Sequence, residues 1–386
     1  MIRRLALVAS AAAFVPPSWE RRMELRSVLE ELREPSPILV TEGPKLRSDA
    51  WLDNLMSIPR SRILRRVGSH VTATTAWAAA VLYANEVAPG SLPVVSPTPL
   101  QVLGTAISLL LAFRTSQSYD RFWNGRDVWS DVWSSCRGLK RSIVTWRSSD
   151  ALDDVSKVAL GLTALYPATL IHHLRSELDD PSTRRDLEKL LGVFFETLDT
   201  PQSPGLWLAK VSAVDENLPL AIIDVLAILQ RDLRSDRLRR GLFDDGEFAI
   251  ANYEAHLDRL GRSLSNAEKI VVTPVPPSYT RHTSRLLSIW ALALPLTFAN
   301  LEPPFVVLPF VIILSWALFA LEEIGKIIEE PFGTDSEDIG LDLPLEKYAS
   351  RIAKDVLNVQ DHHDALAPLL ADLGLRGAGV DEQAQP

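Results

Sequence analysis

"PLQVLGTAISLLLAFRTSQSYDRFWNGRDVW", residues 99–129, decides how the rest of the chain is read. Its first half is among the most apolar stretches in the sequence. Its second half crowds Tyr119, Phe122, Trp123 and Trp129 together with Arg121, Arg126, Asp120 and Asp127. Aromatic rings with a polar edge gather at the depth where a spanning helix leaves lipid, and arginines beside them reach headgroups or pair with nearby acids. The stretch is expected to be an apolar helix ending near Phe113, followed by an interfacial belt. Arg114, Arg121 and Arg126 would contact headgroups or pair with Asp120 and Asp127.

Working outward, three further apolar runs give four membrane helices at about 69–88, 99–113, 284–301 and 304–321. Each is near or slightly under the roughly 17 to 25 residues that a lone spanning helix needs. Short Pro-bearing links join the first to the second and the third to the fourth, so the four form two hairpins. Arg60, Arg62, Arg65 and Arg66 precede the first helix, Arg114, Arg121 and Arg126 follow the second, and Arg281 and Arg285 flank the start of the third. The hairpin ends carry Glu86 and Glu302 and no Lys or Arg, so both hairpins enter from one basic side. A soluble bundle with four buried helices would leave that asymmetry unexplained.

Between the hairpins, 114–280 reads as a helical body outside the membrane. "STRRDLEKLLGVFFETLD" and "NYEAHLDRLGRSLSNAEKIV" place apolar residues three and four apart with charges between. No period-2 alternation argues for a sheet. The fold class is therefore an all-α membrane protein with four transmembrane helices as two hairpins plus a helical extramembrane body. Residues 356–386 form a C-terminal tail.

Composition agrees with a mixed protein: 47% hydrophobic and 23% charged residues leave room for spanning helices and a polar body. A net charge of -9 argues against nucleic-acid binding, and the single Cys136 excludes an intrachain disulfide and any multi-thiolate metal site. At the N-terminus, Arg3 and Arg4 lead into a short apolar run and small residues before Phe14. That layout is a signal peptide over 1–13, and "ASAAAFVPP" resembles the signal-to-transit junction of plastids of secondary, red-derived origin, with a transit segment over 14–46. Acids from Glu20 onward disfavour a mitochondrial presequence.

No catalytic constellation is found, and the chain is not expected to be an enzyme. His172 and His173 are adjacent, about 100° apart on a helix, and cannot share a metal as an i, i+4 pair could. "DHHD" at 361–364 is a polar turn or helix end. Phosphate-cradling loops and a nucleophile elbow are absent, and no acid is embedded in the middle of the four apolar runs, Glu86 falling at the end of the first.

Three segments then carry a resemblance: 98–129, "PVPPSYTRHTSRLLSIWALALP" (274–295) and "FALEEIGKIIEEPFGTDSEDIGLDLP" (319–344). Together they resemble the bestrophin family in its bacterial and plastid branch, from about Arg47 to Asp355. The residues carrying the motifs are Arg114, Tyr119, Asp120, Arg121, Trp123, Pro331, Phe332 and Gly333. The resemblance implies a homopentamer around a central pore that passes small anions. It also implies a neck lined by the second helix at Thr105, Leu109 and Phe113, where Thr105 replaces an apolar side chain. A lower constriction would fall at Leu220 in "NLPLAI". Animal relatives hold calcium after the "PFG" element; Asp335 and Asp338 stand there in this chain. Ile327 replaces a glutamine oxygen among those ligands, which favours plain turn acids, with calcium at Asp335 and Asp338 as the alternative and no other cofactor expected.

The function expected is passive conduction of chloride and/or bicarbonate across a plastid membrane, the thylakoid, with membrane lipid and further copies of the chain as partners. The alternative is a membrane scaffold or receptor whose helical body binds a soluble partner without conducting, in the plasma membrane or another endomembrane.

Overall fold

The computed structural model describes residues 51–58, 61–90, 92, 95–146, 154–195, 204–214, 216–239, 246–299, 303–333, 349, 351–353 and 355–356. The signal and transit segments, the acids Asp335 and Asp338, and the "DHHD" turn lie outside the described residues. Among the described residues the regular elements are all helices: α1 Trp51–Met56, α2 Arg62–Val87, α3 Pro97–Trp146, α4 Asp154–Leu174, α5 Pro181–Phe195, α6 Pro204–Val214, α7 Leu218–Arg239, α8 Gly246–Val272, α9 Pro277–Phe298 and α10 Pro304–Glu329. The chain divides into two compact units. One comprises 40–130 and 263–344, and the other is built around 131–262 with the C-terminal segment.

In the first unit, α2, α9, α10 and the first part of α3 share a single core. Val67, Ala78 and Val81 of α2 meet Ile107 and Leu111 of α3, Leu287 and Leu294 of α9, and Val311 and Phe319 of α10. Starts are set by local chemistry: Ser61 caps α2 by accepting the Leu64 amide at 3.4 Å, while Pro277 and Pro304 open α9 and α10. A proline at the first helical position loses no intrahelical hydrogen bond and arrives with a helical φ.

Hydroxyls along these helices are turned back on the chain. Thr72, Thr75, Thr105, Ser108, Thr115, Thr283 and Ser288 each donate to the carbonyl four residues earlier, at 2.6 to 3.1 Å. This satisfies polar groups without a partner helix. Three side-chain donors cross between neighbouring helices to backbone carbonyls. The Trp77 indole N–H donates to the Leu292 carbonyl at 2.9 Å, Trp290 to Leu100 at 2.8 Å, and the Asn85 amide to Ala299 at 2.8 Å. Gly104 makes the second of these possible, because a Cβ there would sit 3.0 Å from Trp290 Nε1.

In the second unit α4 is the central helix, with Leu160, Leu162, Leu165, Tyr166 and Leu170 all buried. It packs on α5 and α7. Tyr166 donates to the Leu260 carbonyl of α8 at 3.1 Å, and Tyr253 of α8 donates to Leu226 of α7 at 3.3 Å. Cys136 is buried with its Sγ 3.7 Å from the Thr163 carbonyl, and burial pushes its thiol pKa up. Gly138 lets His256 of α8 lie directly on α3: a Cβ would fall 2.2 Å from its ring. Burial first, and then Arg259 and Arg141, lower the pKa of that imidazole. Asp355 gathers the end of α3, accepting from Trp133 Nε1 at 2.7 Å and Arg137 Nε at 2.6 Å.

One sequence expectation changes. The second apolar run does not end near Phe113 but continues to Trp146, because no proline follows Pro99 and the charged stretch remains helical in pattern. Among the described helices, α10 alone is long and apolar enough to cross a membrane by length and composition.

Candidate functional site

The outward face of α3 is the first feature. Thr105, Leu109 and Phe113 recur every four residues, and all three are exposed, the last two at 55% each. Ile107 and Leu111, on the opposite side of the same helix, are 1% exposed and belong to the core. Side chains four apart stack along one helix face, so the three residues form a line of bare side chains on the protomer. Thr105 departs from the apolar pattern, yet its hydroxyl proton is committed to the Gln101 carbonyl at 3.0 Å. It therefore presents a methyl group and oxygen lone pairs. Leu220, in the first turn of α7, is 38% exposed and belongs to the other unit. Asn217 caps that helix by accepting the Leu220 amide at 3.2 Å.

The second feature joins the two motif segments. Arg114, 1% exposed, has Nη1 3.6 Å from Glu322 and Nη2 3.6 Å from Glu329 of α10. Glu322 is itself 3% exposed and also pairs with Lys326 at 3.2 Å. Neighbouring Glu323 pairs with Arg66 of α2 at 3.4 Å. Taking one partner from a buried pair leaves an uncompensated charge, at a cost of roughly 3–5 kcal/mol. Arg121 Nε donates to the Glu329 carbonyl at 3.1 Å, and its Nη atoms donate to Thr273 at 2.6 Å and Ile270 at 2.7 Å. One guanidinium thus serves the C-terminal ends of α8 and α10, where unsatisfied carbonyls and the negative dipole end favour a cation.

Gly125 completes the junction. A Cβ there would lie 3.1 Å from Pro331 and 3.3 Å from Phe332, both buried, so the "NG" of α3 accommodates the "PFG" turn. Gly333 closes that turn by donating its amide to the Glu330 carbonyl at 3.1 Å.

This geometry corrects the interfacial-belt expectation in part. Trp129 is 1% exposed and belongs to the interior. Arg114 reaches neither headgroups nor Asp120, because two carboxylates of α10 hold it; Arg121 is held by carbonyls. Tyr119 and Trp123 are exposed and stack on one another at 6.3 Å, and Asp120 beside them is exposed too. The sequence reading missed Glu322 and Glu329 as partners of Arg114. Both lie in the 319–344 motif, and parallel packing of the second and fourth apolar helices, both running back to the basic side, was the signal that could have paired them. Ile327, where an oxygen ligand would be needed for calcium, is buried and apolar. Among the described residues no three His, Cys, Asp or Glu side chains gather as a metal site.

Comparison with known proteins agrees with this layout. The family described as Bacterial/Fungal Bestrophin protein matches residues 44–358. A voltage-dependent anion channel-forming protein of Ralstonia nicotianae is 31% identical over 251 residues, covering 64% of this chain and 72% of the relative. The chloroplastic voltage-dependent chloride channel 1 of Arabidopsis thaliana is 29% identical over 63% of this chain, which spans 54% of that relative's length. The crystal structure of a bacterial bestrophin homolog from Klebsiella pneumoniae superposes with a TM-score of 0.63 at 22% identity, over 76% of this chain and 98% of that one. Its likeness establishes the fold. Motif junction, helix order and a family match over most of the chain lead to one statement: the chain belongs to the bestrophin family.

Proposed function

We propose that this chain is one subunit of an anion channel, a homopentamer whose α3 helices surround a central pore with Thr105, Leu109 and Phe113 as its neck. The observation that carries the reading is the outward line on α3: a leucine and a phenylalanine 55% exposed in mid-helix, interleaved with exposed Gln101, Thr105 and Ser108. A face meant for lipid alone would not interleave an amide and hydroxyls, and a face meant for water alone would not carry bare rings. A narrow wet passage lined by copies of α3 uses both. Partly dehydrated anions pass the apolar constriction and regain water beyond it. Leu220 supplies a lower constriction.

The relatives support the cargo, since those of Ralstonia and Arabidopsis are named as anion and chloride channels. Chloride and/or bicarbonate cross passively. The spans are α2, α9, α10 and the apolar part of α3. In α2 and α9 the hydroxyls bonded back to their own helices lower the cost of lipid contact. The membrane is a plastid membrane, the thylakoid, consistent with the N-terminal pattern and with the chloroplastic Arabidopsis relative.

Purified protein in a planar bilayer tests the function. Reversal potentials in chloride against bicarbonate should follow an anion, and mass measurement in detergent should give five subunits per particle. An assembly of another size that conducts, or a pentamer that passes no anion, would refute the reading.

A further inference from the structure

Resting on the channel reading above, we infer that Arg114 and its carboxylate partners Glu322 and Glu329 position the neck residue Phe113, so that charges outside the pore set its selectivity. Phe113 and Arg114 are consecutive on α3, about 100° apart around the helix. One faces outward at 55% exposure and the other is buried at 1%. Rotation or sliding of α3 at this point moves both together.

Glu322 and Glu329 are seven residues apart on α10, a baseline of about 10 Å along the helix. Arg114 lies 3.6 Å from each, one Nη atom toward each carboxylate. A single tie would let α3 swivel about it, whereas two ties along a baseline fix rotation and height. Its three guanidinium nitrogens have no hydrogen-bond partner among the described residues. The side chain is therefore held by the balance of two charges rather than by directional bonds. Removing either charge draws it toward the other and carries Phe113 with it.

The anchors themselves are braced. Glu322 is held by Lys326 at 3.2 Å, and Glu329 accepts the Val275 amide at 3.2 Å. The carbonyl of Glu329 accepts from Arg121. Lys326 also pairs with Glu323 at 3.7 Å, which Arg66 holds, so three cations face three carboxylates and the set is neutral only while complete.

The test is single-channel recording of the full chain with Glu322→Gln, Glu329→Gln and Arg114→Lys, scoring unitary conductance and the nitrate-to-chloride permeability ratio. Both belong to one open channel and do not change with the number of channels. Expected is a ratio displaced toward unity in each glutamine variant and a smaller displacement in Arg114→Lys, which keeps the charge but loses the two-pronged reach. Lys326→Gln guards against misfolding: Lys326 is 38% exposed, so this variant should assemble and shift the ratio in the same direction. Unchanged unitary conductance and ratio in Lys326→Gln and in every assembled glutamine variant, with only channel number reduced, would overturn the inference. Absence of current from the unaltered protein would overturn the channel reading and this inference with it.

Discussion

Leu109→Ala and Phe113→Ala separate a neck from a packing face. Complete burial of such a side chain stabilises a fold by roughly 1.5–3 kcal/mol. Each is 55% exposed on the protomer, so less than half of that burial is intrachain. Truncation should therefore cost the fold about 1 kcal/mol each. Leu111, two positions from both and 1% exposed, supplies the internal contrast. Leu111→Ala should cost about 2–5 kcal/mol. Thermal melts of the detergent-solubilised protein measure this difference, and bilayer recordings measure the other half of the expectation. In a pentamer each truncation removes a full ring of apolar atoms from the passage, so anions shed less water there. Conductance should rise or hold, and discrimination between weakly and strongly hydrated anions should fall. If both variants melt as low as Leu111→Ala while the surviving channels keep their permeability ratios, the outward line is a packing face and the neck lies elsewhere.

Three further outcomes are expected. Thr105→Ile restores an apolar side chain to the line and should lower unitary conductance in the same recordings. Gly138→Ala places a Cβ 2.2 Å from the His256 ring; thermal stability should fall by about 1–3 kcal/mol and recover when His256→Ala is added, a coupling that a double-mutant cycle reads directly. Cys136, buried and with its thiol pKa pushed up by burial, should resist alkylation in the folded protein even at alkaline pH and label fully on denaturation, as mass spectrometry would record.

Much of the fold was legible because apolar runs bounded by prolines and arginines have few other readings. The stretches expected at 69–88, 284–301 and 304–321 fall within or overlap α2, α9 and α10. Two body stretches, singled out for apolar residues three and four apart, overlap α5 and α8. The extent of α3 was not legible. Hydropathy marks where apolar character stops, but the helix continues as long as backbone bonding is uninterrupted and one face is buried. Buried Val128, Trp129 and Val132 supply that face within a charged run. Arg114 failed for a related reason: composition signals a charge near an interface but not which element will enclose it. Glu322 and Glu329 lie more than two hundred residues away, and only packing brings them near. Thr105, Leu109 and Phe113 were readable as one face from spacing. Their exposure, and the burial of Ile107 and Leu111, follow from which side of α3 meets α9.

The indole and amide donors that cross between helices have an evolutionary consequence. Trp77, Trp290 and Asn85 all recognise main-chain oxygen, at Leu292, Leu100 and Ala299. A carbonyl has the same chemistry whatever side chain its residue carries. The instructions for lateral alignment are therefore written on the donor alone, and the accepting position can drift among apolar residues without losing the bond. Substitutions at the three donors should be far less tolerated than substitutions at the three acceptors. A deep mutational scan of this chain would then show asymmetric tolerance across each contact, strict on one helix and permissive on the other.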